Sequence, residues 1–192
     1  MLGLIARILW LVFLLIFPFI FLIRFSVYLH ITEGLIPWAC IAGGIIFTSI
    51  IVFFYFTFLH GLFFIGERKR PQLIKRLLLA FALVGIYCLH GLFYMSGENM
   101  KNVGIKKEIR KVHPILRLST STLIHLDKNL IITDADRLPE DYKKMGLKTK
   151  SHSLHYKQKN GYAHAMDIRT HNRSELRNFA TQTYFQLMGF NT

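Results

Sequence analysis

The first half of the chain is dominated by three long apolar segments. They span about residues 4–23, 35–65 and 77–95. A helix needs roughly 20 predominantly apolar residues to cross the hydrocarbon core of a bilayer. The pattern therefore predicts an α-helical transmembrane anchor of three helices within residues 1–96. A cleaved signal peptide is the rival interpretation of the first segment, but its apolar stretch exceeds the usual core of about 7–15 residues.

The apolar pattern becomes short and mixed after residue 96. Residues 97–112 are polar and basic, which is typical of a linker that lies against anionic lipid headgroups. Beyond it, the spacing of apolar residues predicts a short helix, a strand, a charged loop, a second strand and a final helix, over residues 114–126, 129–133, 134–152, 161–169 and 174–188. This order of elements predicts a small α+β domain over residues 113–192.

The final helix has a recognisable start, stop and apolar face. Asn172 or Ser174 is a suitable N-cap, and Gly189 is a suitable stop. We expect the helix to bury a stripe of residues spaced by three or four positions against the domain, namely Leu176, Phe179, Ala180, Thr183 and Leu187.

The charge of the chain is divided between its halves. The net charge is +13, of which +5 lies in the first 96 residues and +8 in the last 96, while 52% of all residues are apolar. This combination excludes a single soluble domain and a disordered chain. Residues 66–76 carry five basic residues and one acidic residue, and short basic loops stay on the cytoplasmic side. The expected location is the cell membrane, multi-pass, with the C-terminal domain extracytoplasmic.

Cysteines and histidines in the apolar segments add two points. The only cysteines, Cys40 and Cys88, both lie in these segments, so a disulfide within the outer domain is excluded. His60 and His90 lie in matching pieces, LHGLFF and LHGLFY. An intramembrane histidine can mark a functional site, such as a metal or haem shared between helices. We favour the simpler interpretation, in which both lie near an interface or bond a neighbouring helix.

The densest candidate chemistry lies in residues 150–167, KSHSLHYKQKNGYAHAMD, which include three histidines and one aspartate. Imidazole and carboxylate groups bind divalent metals such as zinc. Period-two alternation puts Asp167 on one strand face with Ala163 and Ala165, which leave room for a metal ion, and puts His164 on the other face. The alternation therefore favours Asp167 as a ligand and disfavours His164.

Three motifs in this half are similar to those of a known family. They are IITDADR (131–137), SHSLH (151–155) and AHAMDI (163–168). Together they resemble the zinc D-Ala-D-Ala carboxypeptidase family, which includes VanY-type peptidases and phage endolysins and shares its metal core with hedgehog-like domains. The resemblance covers roughly residues 113–190.

The resemblance implies a zinc metallopeptidase, either a D,D-carboxypeptidase or an endopeptidase, that hydrolyses peptidoglycan cross-link or stem peptides. It makes His155 and Asp167 zinc ligands. Arg137 would bind a substrate carboxylate or carbonyl, for which its forked donors are suited. Ser153 would support the site.

The sequence departs from the family pattern in two respects. Eleven residues separate His155 from Asp167, which is more than the family has. The family's second histidine ligand and its catalytic carboxylate are not found after Asp167, although a catalytic zinc needs three protein ligands. The third protein ligand is therefore missing from the expected site. A truncated sequence, a degenerate non-catalytic domain and a coincidental resemblance all remain open, in that order of preference.

The main alternative is a non-catalytic membrane protein whose basic outer domain binds the cell wall or a partner. Nucleic-acid binding explains the basic charge poorly, because the basic residues are scattered and an outside domain would meet no nucleic acid. A pore has little support, because the three apolar segments hold no buried acidic residue. The expected partners are therefore a peptidoglycan peptide and the lipid bilayer.

Overall fold

The computed structural model describes residues 2–63, 70–146, 148–149 and 152–192. Residues 66–69 of the basic loop that sets the predicted orientation lie outside the described residues, and so does the side chain of His60. The chain divides into two compact units, Met1–Leu89 and His90–Thr192. Each unit is described by itself.

Three long helices form the first unit: α1 (Leu2–Thr32), α2 (Pro37–Phe63) and the greater part of α3 (Arg70–Phe93). The helix α1 continues well beyond the predicted apolar segment and contains Pro18. The helix α3 begins seven residues before the predicted segment, because arginine, lysine and glutamine are good helix formers.

The apolar helices have the length and composition of membrane spans. Within the described residues, two stretches are long and apolar enough to cross a bilayer, Pro37–Phe58 and Gln72–Phe93. A third apolar stretch, Ile16–Thr32, is shorter. The predicted helical anchor is therefore confirmed at the level of two or three apolar helices that could span a membrane.

The helices α1 and α2 approach each other closely at Gly44. A Cβ atom added to Gly44 would lie 2.9 Å from the backbone oxygen of Leu22 and would also meet Oγ of Ser26. The rings of Phe25 and Phe47 stack nearby, with centroids 4.5 Å apart. Only a residue without a side chain permits this approach, which brings the aromatic rings of both helices into contact.

The second unit begins at the end of α3 and is mostly helical, with one small sheet. Its elements are a 3₁₀ turn (Gly97–Asn99), α4 (Val103–Glu108), a second 3₁₀ turn (Ile109–Lys111), α5 (Pro114–Leu126), β1 (Ile132–Asp134), α6 (Pro139–Lys144), β2 (Asp167–Ile168) and α7 (Glu175–Met188). The helix α5 has the predicted bounds, and nearly all of it is buried.

The predicted basic linker, residues 97–112, is instead part of the folded domain. Asn102 caps α4, because its Oδ1 accepts a hydrogen bond of 3.1 Å from the backbone N–H of Ile105. Ile105, Ile109 and Val112 are buried in the core of the unit. These three recur at helical spacing among the lysines, so the segment is amphipathic, with its charges on the outer face.

The sheet consists of β1 and β2, which pair in an antiparallel manner, with Ile132 opposite Ile168. The second strand is much shorter than predicted, because the residues before it bond elsewhere. Ala163 exchanges backbone hydrogen bonds with Lys111 and His113, at 2.9 and 2.8 Å. The predicted loop 134–152 is also interrupted by α6, whose first turn contains Pro139.

The helix α7 has the predicted ends but not the predicted buried face. Ser174 is the N-cap, and Gly189 stops the helix with a left-handed backbone at φ 93°. The expected core stripe is exposed: Leu176 is 75%, Phe179 66% and Leu187 67% accessible. The opposite face is buried instead, through Phe185 and Met188. The predicted orientation of α7 was wrong. Both faces of the helix carry apolar residues, so apolar spacing alone did not show which face is buried.

A His–Asp–Arg cluster as candidate metal and substrate site

The paired strands bring two carboxylates together at one end of the sheet. Asp134 is the last residue of β1, Asp167 is the first residue of β2, and the two are opposite each other across an irregularity in the ladder. Thr133 Oγ1 donates a hydrogen bond of 3.2 Å to the backbone oxygen of Asp167, which links the two strands at this point. Ile132 and Ile168 pack into the core behind them. Packing in the core therefore holds the backbone of both strands, and the two carboxylates lie at the end of the sheet.

The guanidinium of Arg137 lies between these carboxylates. Its Nε donates to Oδ2 of Asp134 at 2.9 Å, and its Nη2 donates to Oδ2 of Asp167 at 2.7 Å. The guanidinium carbon also lies 4.9 Å from the ring centroid of Tyr142, a cation–π contact. Burial alone would lower the pKa of Arg137, but the hydrogen bond to Asp134 and the interaction with Tyr142 outweigh it and raise the pKa.

The imidazole of His155 completes the cluster on the other oxygen of Asp167. Its Nε2 lies 3.3 Å from Oδ1 of Asp167. Its Nδ1 lies 3.2 Å from the backbone oxygen of Ala135, and the backbone oxygen of His155 accepts a hydrogen bond of 3.2 Å from the backbone N–H of Arg137. The hydrogen bond between the two side chains raises the pKa of His155 and lowers the pKa of Asp167.

Ser153 supports the loop that carries His155. Its hydroxyl lies 3.1 Å from the hydroxyl of Tyr142 and accepts a hydrogen bond of 3.3 Å from the backbone N–H of His155. Its backbone oxygen accepts a hydrogen bond of 2.9 Å from the amide of Gln158. Ser153 thus links the ring that covers Arg137 to the residue that carries the imidazole.

All four residues singled out in the sequence, Arg137, Ser153, His155 and Asp167, therefore lie in one cluster. Two members were missed. Asp134 precedes Arg137 by three residues, a spacing that suits an ion pair and is visible in the sequence. Tyr142 lies in α6, a helix that the charged pattern of residues 134–152 did not predict.

The donor pair suits one metal ion. Two ligands of a tetrahedral zinc, at bond lengths of about 2.0–2.2 Å, lie about 3.4 Å apart. The separation of 3.3 Å between Nε2 of His155 and Oδ1 of Asp167 is close to that value. A ligating histidine usually donates its second ring N–H to a backbone carbonyl or a carboxylate, as Nδ1 of His155 is placed to do toward Ala135.

The cluster supplies two candidate metal-ligand atoms, Nε2 of His155 and Oδ1 of Asp167. Within the described residues, no group of three or more His, Cys, Asp or Glu side chains is arranged to hold a metal ion. His164 lies elsewhere: its Nε2 is 2.9 Å from the amide nitrogen of Asn160, and its ring contacts that of His113. The remaining coordination positions of a metal at His155 and Asp167 would belong to water, substrate or a further ligand.

Comparison of the chain with protein-family models, with curated proteins and with solved structures gave no match. The functional interpretation therefore depends on the residues of the cluster and on the resemblance of the three motifs.

Proposed function

We propose that the chain is a membrane-anchored zinc peptidase-like protein that acts on peptidoglycan cross-link or stem peptides by metal-assisted hydrolysis. The observation that carries this proposal is the separation of 3.3 Å between Nε2 of His155 and Oδ1 of Asp167, beside the guanidinium of Arg137. In this proposal the apolar helices are a multi-pass anchor, and the domain that carries the cluster is extracytoplasmic, where peptidoglycan lies.

The roles proposed for the side chains come from the resemblance, and their contacts support them. His155 and Asp167 would hold zinc, which as a Lewis acid polarises a scissile carbonyl and makes a bound water more acidic. Arg137 would attract the carboxylate or carbonyl of the peptide. Its guanidinium is shared with Oδ2 of Asp167, so engagement of that carboxylate as a ligand leaves more of the arginine's charge available to an anionic peptide end.

Two further side chains would keep the cluster in place. The ring of Tyr142 covers the guanidinium of Arg137, and its hydroxyl lies 3.1 Å from that of Ser153. Ser153 in turn bonds the backbone of His155. This chain of contacts would hold the imidazole and the guanidinium at a fixed separation, which substrate positioning requires.

Zinc binding and peptide cleavage by the full chain in detergent micelles test the proposal. We expect about one zinc ion per chain, by elemental analysis after dialysis, and loss of that zinc in His155→Ala and Asp167→Asn. His164→Ala is the matched control, because that imidazole contacts His113 and Asn160 instead. Purified muropeptides would then be assayed for cleavage by mass spectrometry. Cleavage that persists in His155→Ala would refute the assigned site.

A second candidate function has one observation in its favour. Because the described residues supply only two ligands at the cluster, a non-catalytic protein that binds the cell wall or a partner is the alternative. Co-sedimentation with isolated sacculi, measured with the release of soluble peptides, separates the two. Binding without release by zinc-loaded protein supports the second candidate, whereas release that depends on Asp167 supports the peptidase.

A further inference from the structure

Arg117 is a buried cation near the N-terminal end of α5. The residue as a whole is only 6% exposed. Its Nη1 donates to the backbone oxygen of Arg110 at 3.2 Å, and its Nε has no hydrogen-bond partner. In the described part of the chain no ion pair joins Arg117 to a carboxylate. A buried cation without an opposite charge beside it is unfavourable, so a counter-ion is expected from outside the chain.

Two buried carboxylates of this unit, Asp134 and Asp136, differ from Arg117 in that each has an opposite charge beside it. Asp136 pairs with Lys111 at 2.8 Å, and Asp134 pairs with Arg137 at 2.8 Å. The fold therefore neutralises its buried carboxylates internally, while the charge of Arg117 is left uncompensated among the described residues.

The guanidinium of Arg117 lies at the C-terminal end of a candidate membrane span. Its carbon is 6.0 Å from the ring centroid of Phe93, the last residue of the span Gln72–Phe93. A Cβ atom added to Gly91 would lie 2.7 Å from Cδ1 of Leu118, so α5 rests directly on this last turn. Phe93 and Tyr94 are exposed, as aromatic side chains at a bilayer surface are.

The surroundings of Arg117 add positive charge. Burial lowers the pKa of Arg117; the interaction with Tyr162 acts in the opposite direction, and repulsion from the neighbouring Arg110 lowers the pKa further. Among the described residues, neither Arg110 nor Arg117 forms an ion pair with a carboxylate. Two such neighbouring cations create a local positive potential, which favours an anion that enters between them.

We propose that Arg117, with Arg110, binds the phosphate oxyanion of an anionic lipid headgroup at the end of α3. A phosphate suits the site because a guanidinium presents paired donors to oxyanions, and Nε is unused. In the proposed anchor, the candidate span that ends at Phe93 would put this group at the depth of the headgroups. Inorganic phosphate has the same chemistry and is the other source of the ligand. The inference rests on the membrane anchor of the proposed function and is independent of the peptidase activity.

Thermal unfolding of the full chain in nanodiscs tests this site. Discs of phosphatidylcholine alone are compared with discs that contain about a quarter phosphatidylglycerol. We expect the anionic lipid to raise the Tm of the wild type by about 4 °C or more, because a ligand that binds only the folded state stabilises it. Arg117→Met and Arg117→Gln should lose at least half of this rise, and Arg110→Gln, at an exposed position, should lose less.

The variant Arg117→Met also distinguishes loss of the anion site from a general folding defect. Because it replaces an unpaired buried charge with an apolar side chain of similar length, it should be at least as stable as the wild type in phosphatidylcholine discs. Arg117→Lys keeps the charge without the fork and should show a smaller rise than the wild type.

Further arms separate the sources of the anion. Millimolar inorganic phosphate is added to phosphatidylcholine discs: a rise equal to that given by phosphatidylglycerol identifies a free oxyanion as the ligand and overturns the lipid assignment. An equal rise in wild type and Arg117→Met, or no rise with either anion, overturns the site. Failure of the chain to co-elute with the discs refutes the anchor and the lipid source together. The phosphate titration of the micellar protein then decides whether Arg117 binds an oxyanion.

Discussion

The Nε2 atom of His155 lies 3.3 Å from Oδ1 of Asp167, while Oδ2 of the same carboxylate lies 2.7 Å from Nη2 of Arg137. One carboxylate thus connects an imidazole to a guanidinium. In the absence of a ligand the pair behaves as a hydrogen-bonded ion pair, because each partner favours the charged form of the other. A metal ion would use the same two atoms, so protons and metal compete for His155.

This competition predicts how zinc binding by the full chain depends on pH. The hydrogen bond to Asp167 raises the pKa of His155, so zinc must displace a proton below that pKa. We expect the zinc affinity to increase about tenfold per pH unit up to the raised pKa and to level off above it. Isothermal titration in micelles at several pH values measures this profile. A flat profile in the wild type would exclude His155 as a ligand.

The same pair predicts a pH window of stability. The pKa of His155 is raised above its usual 6.5, so its contribution is complete below 6.5 and is lost as pH rises through the raised value. The pKa of Asp167 is lowered below its usual 3.8, so its contribution is complete above 3.8 and is lost as pH falls through the lowered value. The Tm difference between wild type and His155→Gln, measured by circular dichroism, should therefore be largest between these two limits. A difference that does not vary with pH would contradict the ion pair.

The fork of Arg137 predicts that lysine cannot replace it. Arg137→Lys loses the paired contacts with Asp134 and Asp167 and leaves two neighbouring carboxylates poorly compensated. We expect a loss of about 2–4 kcal/mol in the free energy of unfolding. Lys144→Ala is the control, because its pair with Asp141 is exposed and should contribute less than about 0.5 kcal/mol. Thermal melts of both variants measure this difference. If Arg137→Lys were as stable as Lys144→Ala, the structural role of the fork would be refuted.

Much of the second unit could be predicted from local patterns, and its limits have physical causes. The bounds of α5 and the caps of α7 follow from proline, serine and glycine at positions that the backbone of a helix end requires. The buried face of α7 and the short length of β2 depend on tertiary contacts instead. Ala163 bonds Lys111 and His113 in the backbone, and no local pattern shows that pairing.

The candidate site was predictable to the extent that motifs mark it. The residues Arg137, Ser153, His155 and Asp167 are near one another in the structure, although 30 residues separate Arg137 from Asp167. Tyr142 was missed, because its helix lies among charged residues and has only one buried side chain. The roles proposed for these side chains remain predictions, which the zinc and cleavage measurements test.

The pair between Lys111 and Asp136 predicts that a surface lysine has a structural role. The side chain of Asp136 is fully buried, that of Lys111 is 46% exposed, and their atoms lie 2.8 Å apart. Lys111→Met leaves a buried carboxylate without a cation, so we expect a loss of about 3–5 kcal/mol. The exposed Lys107 provides the control Lys107→Met, which should change stability by less than about 0.5 kcal/mol. Recovery of the Tm in the double variant Lys111→Met/Asp136→Asn would show that the loss comes from the unpaired charge of Asp136. Equal stability of Lys111→Met and Lys107→Met would exclude a structural role for Lys111.

The close approach at Gly44 predicts a contrast between two helix glycines. A Cβ at Gly44 meets the backbone oxygen of Leu22 at 2.9 Å, and backbone cannot move aside as a side chain can, so Gly44→Ala must push α1 away from α2. At Gly85 nothing lies within 4 Å of an added Cβ, so Gly85→Ala should be neutral or stabilising by up to about 1 kcal/mol, because alanine favours the helix. We expect Gly44→Ala to lower the Tm of the micellar protein and Gly85→Ala to maintain or raise it. Disulfide cross-linking between cysteines introduced at Phe25 and Phe47, whose rings stack in the wild type, should also slow in Gly44→Ala and not in Gly85→Ala. Equal cross-linking rates in the two variants would mean that α1 and α2 do not depend on the glycine for their contact.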